Sequence, residues 1–348
     1  MPDNPDTQSP PLDPESPIYV AGHRGLVGSA ILRKLEGAGC KNLITRTHRE
    51  LDLTNQEAVQ AFFENEKPEY VFLAAAKVGG IMANKTCPAE FIQQNLAIQL
   101  NVIHQAWRTG VKRLLFLGSS CIYPRDCPQP MREEYLLTGP LEATNSPYAV
   151  AKIAGIEMCA AYNRQYGTRY LAVMPTNLYG PGDNFDLENS HVLPALIRKM
   201  HEAKASGQDT VTVWGTGNPR REFLHSDDMA DACMYLMGLP GETFGQALNP
   251  RVSGPATYAL PLVNIGCGQD ITIRELALLV KDIVGFGGDL VFDTSKPDGT
   301  MRKLLDISRI SALGWKQKIE LRHGIEDAYN WYIENYRVLD SSRGGKAH

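Results

Sequence analysis

The chain has no CxxC pair and no cluster of His and Cys at metal-ligand spacing. Its seven cysteines lie at 40, 87, 121, 127, 159, 233 and 267. An odd, scattered set argues against a disulfide framework and fits a reducing compartment. No apolar run is long enough to cross a bilayer, and residues 1–17 lack a charged stretch followed by an apolar one. Neither a membrane span nor a secretory signal is therefore expected, and the reading is cytoplasmic. Charge of one sign is not in excess: 21% of residues are charged and the net charge is −4, so no nucleic-acid partner is expected. Internal repeats are missing. The one biased stretch is the Pro-, Asp- and Ser-rich start, read over 1–16 as a disordered tail.

What is present is a chain of 348 residues, enough for one large core or two joined ones. Ile18-Tyr19-Val20-Ala21 reads as a strand, and a helical pattern runs from Ser29 to Leu35. Between them lie Gly22, Gly25 and Gly28, with His23, Arg24, Leu26 and Val27 in the gaps. Strand, glycine turn and helix in that order suit backbone amides that approach a pyrophosphate. The second strand, about 42–45, ends without the acid that would bind a ribose 2′-hydroxyl. Arg46, His48 and Arg49 stand there instead, and with Arg24 they favour a 2′-phosphate, hence NADP(H). Asp52-Leu53 follows, with the acid expected to reach the adenine amine. A third strand runs into Ala74, Ala75 and Ala76, small enough for a cofactor to lie close.

A helix is expected over about 88–107. The next strand, Leu114 to Leu117 and Gly118, delivers Ser119, Ser120 and Cys121 to its C-terminal end, where open α/β sheets bind ligands. Another strand over 169–175 leads to Pro175, Thr176, Asn177 and Leu178. Between these strands stand Tyr148 and Lys152, four residues apart and so stacked on one helix face. A neighbouring ammonium favours the phenolate, so Lys152 is expected to lower the Tyr148 pKa. A helix over 192–201, entered by His191 and Val192, carries Lys199, and Trp214 and Arg220-Arg221 add an aromatic and basic set further on. The stretch 239–261 is rich in Gly and Pro and reads as an irregular loop. Later expectations are a strand at 263–266, a helix over 271–284, an edge strand at 290–292, a turn at 296–300 and a last helix over 322–336.

The glycine triplet, Ser119 and Tyr148-x-x-x-Lys152 together resemble the extended short-chain dehydrogenase/reductases of the nucleotide-sugar branch. Ala76-Lys77-Val78-Gly79-Gly80-Ile81, Gly118 to Pro124, Pro175 to Gly180 and Asn189-Ser190-His191-Val192 resemble the members that act on GDP-4-keto-6-deoxy-D-mannose. The likeness runs from about residue 18 to 332. It implies a doubly wound parallel sheet of Rossmann type, an NADP-binding domain over 17–185 with a return near 225–267, and a smaller substrate domain over 186–335. The implied activity is NADPH-dependent 3,5-epimerisation followed by 4-reduction. Ser119, Cys121, Tyr148, Lys152 and His191 would carry the chemistry. Gly22, Arg24, Gly25, Leu26, Val27, Gly28, Arg46, Arg49, Asp52, Leu53, Ala74 to Ala76, Leu117 to Ser120, Tyr148, Lys152, Pro175 to Leu178 and His191 would line the cofactor. Asn177, Val192, Lys199, Trp214, Arg221, Asp298 and Lys303 would bind the GDP-sugar. A homodimer through the helices near 90–109 and 148–166 is implied as well, and no metal. Another NADP-dependent nucleotide-sugar reductase or 4-epimerase is the rival reading.

Overall fold

The computed structural model describes residues 12–187, 190–250, 260–296 and 298–341. Strands and helices alternate first: β1 (Ile18–Ala21), α1 (Leu26–Gly37), β2 (Leu43–Ile44), α2 (Gln56–Glu66), β3 (Tyr70–Leu73), α3 (Ile81–Thr86), α4 (Pro88–Arg108), β4 (Arg113–Leu117), α5 (Ser146–Tyr166) and β5 (Tyr170–Pro175). Then follow β6 (Asn177–Tyr179), α6 (Val192–Ser206), β7 (Thr210–Trp214), β8 (Arg220–Arg221), β9 (Phe223–His225), α7 (Ser226–Met237) and α8 (Gly241–Leu248). The chain ends with β10 (Leu262–Ile265), β11 (Ile271–Thr272), α9 (Ile273–Val284), β12 (Asp289–Asp293), β13 (Arg302–Lys303), α10 (Ser308–Ala312) and α11 (Leu321–Ser341).

Six strands form one parallel sheet in the order β10-β5-β4-β3-β1-β2. Parallel strands need crossovers that cover both faces, and the strands of this sheet are accordingly apolar and mostly buried. On one face α1, α7 and α8 contribute Ile31, Leu35, Met229, Leu236 and Phe244. On the other, α2, α4 and α5 contribute Phe63, Val102, Ile103 and Ile156. The strand order reverses between β1 and β3, which opens a crevice at their C-terminal ends. A third core, separate from the sheet, joins α6, α9 and α11 through Leu196, Met200, Leu276, Val280, Ile325 and Tyr332. The doubly wound parallel fold expected from the sequence is thus the fold observed.

Three expectations need correction. The tail does not extend to residue 16: Ser16 is buried, its hydroxyl donates to Glu69 at 2.6 Å, and Lys41 N donates to Pro14 O at 2.9 Å. Residues 1–11 lie outside the described residues. The supposed loop 239–261 contains α8, whose Phe244 lies under the guanidinium groups of Arg113 (4.3 Å) and Arg169 (5.3 Å). Residues 251–259 lie outside the described residues. Finally, β7, which is not among the expected elements, alternates exposed Thr and buried Val and pairs with β12, the strand expected at 290–292.

Candidate active site

The turn after β1 closes only with glycine. Gly22 has φ +83°, and a Cβ there would lie 2.7 Å from Ala75 N. A Cβ on Gly28 would lie 2.1 Å from Gly22 O. The loop is therefore pressed against the Ala74-Ala75 backbone, with Ala76 just beyond. Gly25 caps α1 in extended conformation without a side-chain hydrogen bond, and the first turn holds no acid. The amides at Leu26 and Val27 are left for an anion, so the residues fit a pyrophosphate. Arg24 and Arg49 are exposed and have no ion pair among the described residues. Arg46 differs. It pairs with Glu66, donates to Thr45 O at 2.7 Å and lies over the Phe62 ring. Asp52 accepts from Thr54 N (2.9 Å) and Thr54 Oγ1 (2.8 Å), bonds that hold its carboxyl below the usual range. It closes its own turn, and Leu53 behind it is buried.

Where β4 ends, Leu117 O accepts from Lys152 Nζ at 2.8 Å, and the end of the Met174 side chain fills the space where Gly118 has no Cβ. Ser119 starts a short 3-10 turn over Ser120 and Cys121, and Cys121 N points at its hydroxyl at 3.5 Å. The same hydroxyl hydrogen-bonds Tyr148. Ser119, Cys121, Tyr148 and Lys152 therefore form one cluster, with Phe91 edge-on to the Tyr148 ring at 6.2 Å.

The electrostatics differ from the expectation for Tyr148. Burial pushes its phenol well above 10, and the neighbouring Cys121 pushes the same way, against the pull of the Ser119 bond. Lys152 does not reverse this, because its ammonium donates to Leu117 O and lies 5.8 Å from the Tyr148 ring centroid. Burial instead pushes Lys152 down to about 8. The Cys121 thiol is raised by burial, while the Ser119 bond and the Lys303 and Lys152 ammonium groups act in the opposite sense. His191 occupies the N-cap of α6 without capping it. The residue is exposed as a whole, yet crowding around the ring lowers its pKa. At neutral pH the pair is a protonated thiol and a neutral imidazole. Asn189, beside it in the sequence motif, lies outside the described residues.

Beyond β5, Thr176 is buried, and Asn177 Nδ2 donates to Glu222 O at 2.8 Å. Pro175 ends β5, and Leu178 lies within β6. Val192 opens α6. Arg221 and Lys303 are register partners in the parallel pair of β8 and β13. Arg221 donates to Thr300 O at 2.5 Å, and Asp298 accepts from Thr216 N (2.9 Å) and Oγ1 (2.7 Å). Pro297, in the same turn, lies outside the described residues. Trp214 is 65% exposed, with Lys199 Nζ 5.4 Å and Lys296 Nζ 5.7 Å from its ring centroid. A basic strip thus leads outward from Cys121 through Lys303 to Arg221. Arg220 does not join it, since Asp270 takes its guanidinium at 2.7 Å. Arg125, Gln129, Glu142 and Arg302 line the cleft beside Cys121 and Lys303. Sequence reading missed these four because they carry no period or motif.

Among the described residues, His225, Asp227 and Asp327 have ligand atoms within 4.8 Å of one another. His225 Nδ1 accepts from Asp227 N at 3.3 Å, so the ring proton is on Nε2, which faces Asp327 at 3.2 Å. That ring has no lone pair left to offer, and Asp227 is paired with Arg33 at 2.6 Å. The group does not fit a metal.

Sheet topology, glycine turn and the Ser/Tyr/Lys cluster define a dinucleotide-binding enzyme of doubly wound α/β architecture. The chain belongs to the NAD dependent epimerase/dehydratase family, whose model matches residues 18–247. It is 59% identical over 323 residues to GDP-L-fucose synthase 1 of Arabidopsis thaliana, covering 93% of this chain and 95% of that one. It is 54% identical to GDP-L-fucose synthase of Escherichia coli (strain K12), covering 91% and 97%. Among solved structures, the GDP-mannoheptose C4 reductase of Campylobacter jejuni with NADP bound superposes with a TM-score of 0.83 at 45% identity, covering 92% and 99%.

Proposed function

We propose that this protein is an NADPH-dependent 3,5-epimerase and 4-reductase that converts GDP-4-keto-6-deoxy-D-mannose to GDP-L-fucose. The observation that carries the reading is the position of Cys121 in the turn that Ser119 starts, packed against the helix of Tyr148 and Lys152 and lining one cleft with Lys303. The 4-keto group acidifies the hydrogens at C3 and C5. A base removes each proton, the electron pair moves onto O4, and a proton returned from the opposite face inverts the carbon. Cys121 and His191 are the two groups of suitable acidity, one thiol and one imidazole. Hydroxyls of Ser119 and Tyr148 hold the developing charge on O4, with Lys152 adding positive potential. Tyr148 then gives its proton to O4. NADPH, when bound, supplies the hydride for C4. The protein fits that cofactor at Gly22, Gly25 and Gly28, with Arg24 and Arg49 available for a 2′-phosphate. Arg221, Lys199 and Lys303 are read as ligands of the diphosphate, and Trp214 as an aromatic surface for the base or sugar.

Residues 17–185 with the return at 225–267 are read as the nucleotide unit, and 186–335 mainly as the substrate unit. The compartment is read as the cytoplasm; no helix of the described residues is long and apolar enough to cross a membrane. A homodimer through α4 and α5 accounts for Leu96, Leu100 and Val150, apolar side chains exposed on those helices. Light scattering should give twice the chain mass, and Leu100→Glu should halve it; a wild-type monomer would sink the dimer.

A plain C4 reduction is the second reading, favoured by the likeness to the Campylobacter reductase. The test is incubation with NADPH and GDP-4-keto-6-deoxy-D-mannose, with the product identified by NMR. GDP-L-fucose supports epimerisation and reduction. A 4-reduced sugar with unchanged C3 and C5 makes the chain a reductase only.

A further inference from the structure

Segment 220–225 crosses from one half of the molecule to the other. On one side β8 pairs with β11 and with β13, the strand of Lys303. On the other, β9 pairs with β6, which directly follows β5 on the nucleotide side. Glu222 lies between β8 and β9 and is fully buried. Its backbone oxygen accepts from Thr176 Oγ1 (3.2 Å) and Asn177 Nδ2 (2.8 Å). Its side chain faces two further segments: Oε1 accepts from Gly268 N at 2.7 Å and Oε2 from Leu305 N at 2.9 Å. Gly266 leaves room for it, since a Cβ there would lie 2.3 Å from Oε1.

No salt bridge reaches this carboxylate among the described residues. A buried carboxylate without a cation is unfavourable by itself, and an apolar side chain of equal volume would fill the space better. Directional bonds to two separate backbone segments are what only the carboxylate provides. We propose that Glu222 is a positioning residue that fixes the strand carrying Arg221 and Lys303 relative to the 176–178 segment, and so holds the GDP-sugar in register with the cofactor. The proposal rests on the reading of Arg221 and Lys303 as GDP-sugar ligands.

Glu222→Gln keeps the volume but leaves one acceptor oxygen, and its NH2 must face either the Gly268 or the Leu305 N–H. The strand of Lys303 loosens while the glycine loop around Gly22 is untouched. Titration with GDP should show Kd raised about tenfold or more, while NADPH Kd stays within about twofold. In turnover, KM for the GDP-sugar should rise more than kcat falls. Gly266→Ala keeps the carboxyl group but displaces Oε1, should reproduce the split, and carries the comparison if Glu222→Gln fails to fold. Equal losses of GDP and NADPH affinity, or unchanged affinity for both, would overturn the assignment. Both titrations are independent of turnover. A wild type that does not act on GDP-4-keto-6-deoxy-D-mannose refutes the proposed function while the GDP and NADPH titrations still decide the role of Glu222.

Discussion

Tyr148 and Lys152 share a helix face, and burial opposes the charged form of each: the phenol goes up and the ammonium down to about 8. Lys152 therefore carries its charge below about pH 8 and loses it as pH rises through that value. If that charge serves O4, kcat/KM for reduction should have an alkaline limb near pH 8 that Lys152→Gln lacks; a limb that survives the substitution belongs to another group. The sequence made the pairing legible through its spacing of four. It could not make the direction of the Tyr148 shift legible, because burial and the bond from Lys152 to Leu117 O arise only in the folded chain. Cys121 offers a sharper division. Tyr148→Phe removes the proton donor to O4 and should slow reduction by about 10²–10⁴-fold, while C3 and C5 still exchange with heavy water. Cys121→Ser replaces the thiol by an alcohol that hardly ionises near neutrality, so exchange should collapse while some reduction survives. NMR in heavy water reads both variants. Wild-type exchange in Cys121→Ser would remove the thiol from proton transfer.

In the element that joins β1 to α1, the three glycines act for different reasons. A Cβ on Gly28 meets Gly22 O at 2.1 Å, a clash within the protein, whereas one on Gly25 meets the same atom at 3.4 Å. Gly28→Ala should therefore lower thermal stability by about 1–3 kcal/mol, a shift of several degrees in Tm. Gly25→Ala should leave Tm within a degree or two and, on the proposed cofactor site, weaken NADPH binding, because the new methyl group would stand beside the amides offered to a pyrophosphate. Calorimetry and a fluorescence titration separate the two, and equal loss of Tm would show that Gly25 serves packing alone. This element was readable because strand, glycine turn and helix are adjacent in sequence. The helix α8 was not. Glycine and proline dominate its surroundings, and its anchor, Phe244 under Arg113 and Arg169, joins residues far apart in the chain. By contrast, β7 carries a two-residue alternation in Thr-Val-Thr-Val-Trp, a strand period legible in the sequence itself.

At the scale of the whole molecule, the glycine turn follows β1 of the six-stranded sheet, whereas Arg221 and Lys303 stand on β8 and β13 of a separate three-stranded sheet. The six-stranded sheet was legible from the apolar strands, all of which recur in order. The joining strands β6, β8 and β9 were not, because two or three residues give no period. Neither the Arg220 bond to Asp270 nor the Arg46 bond to Glu66 could be foreseen, so the sequence offered more arginines for binding than the fold leaves available. What remains is Arg24 and Arg49 on the nucleotide side and Arg221 beside Lys303, separate enough to be tested apart. Arg24→Ala removes one charge-assisted contact, about 1.5–3 kcal/mol, and should weaken NADPH by about one to two decades without affecting NADH or GDP. Arg221→Ala should weaken GDP and raise KM for the sugar nucleotide, with NADPH affinity unchanged. Its guanidinium also holds Thr300 O at 2.5 Å, so part of the loss comes from the loosened 298–300 turn. Arg221→Lys restores the charge but not the fork, and should recover only part of the affinity. If Arg221→Ala weakens NADPH instead, β8 belongs to the cofactor site, and the division of the chain into nucleotide and substrate units is wrong.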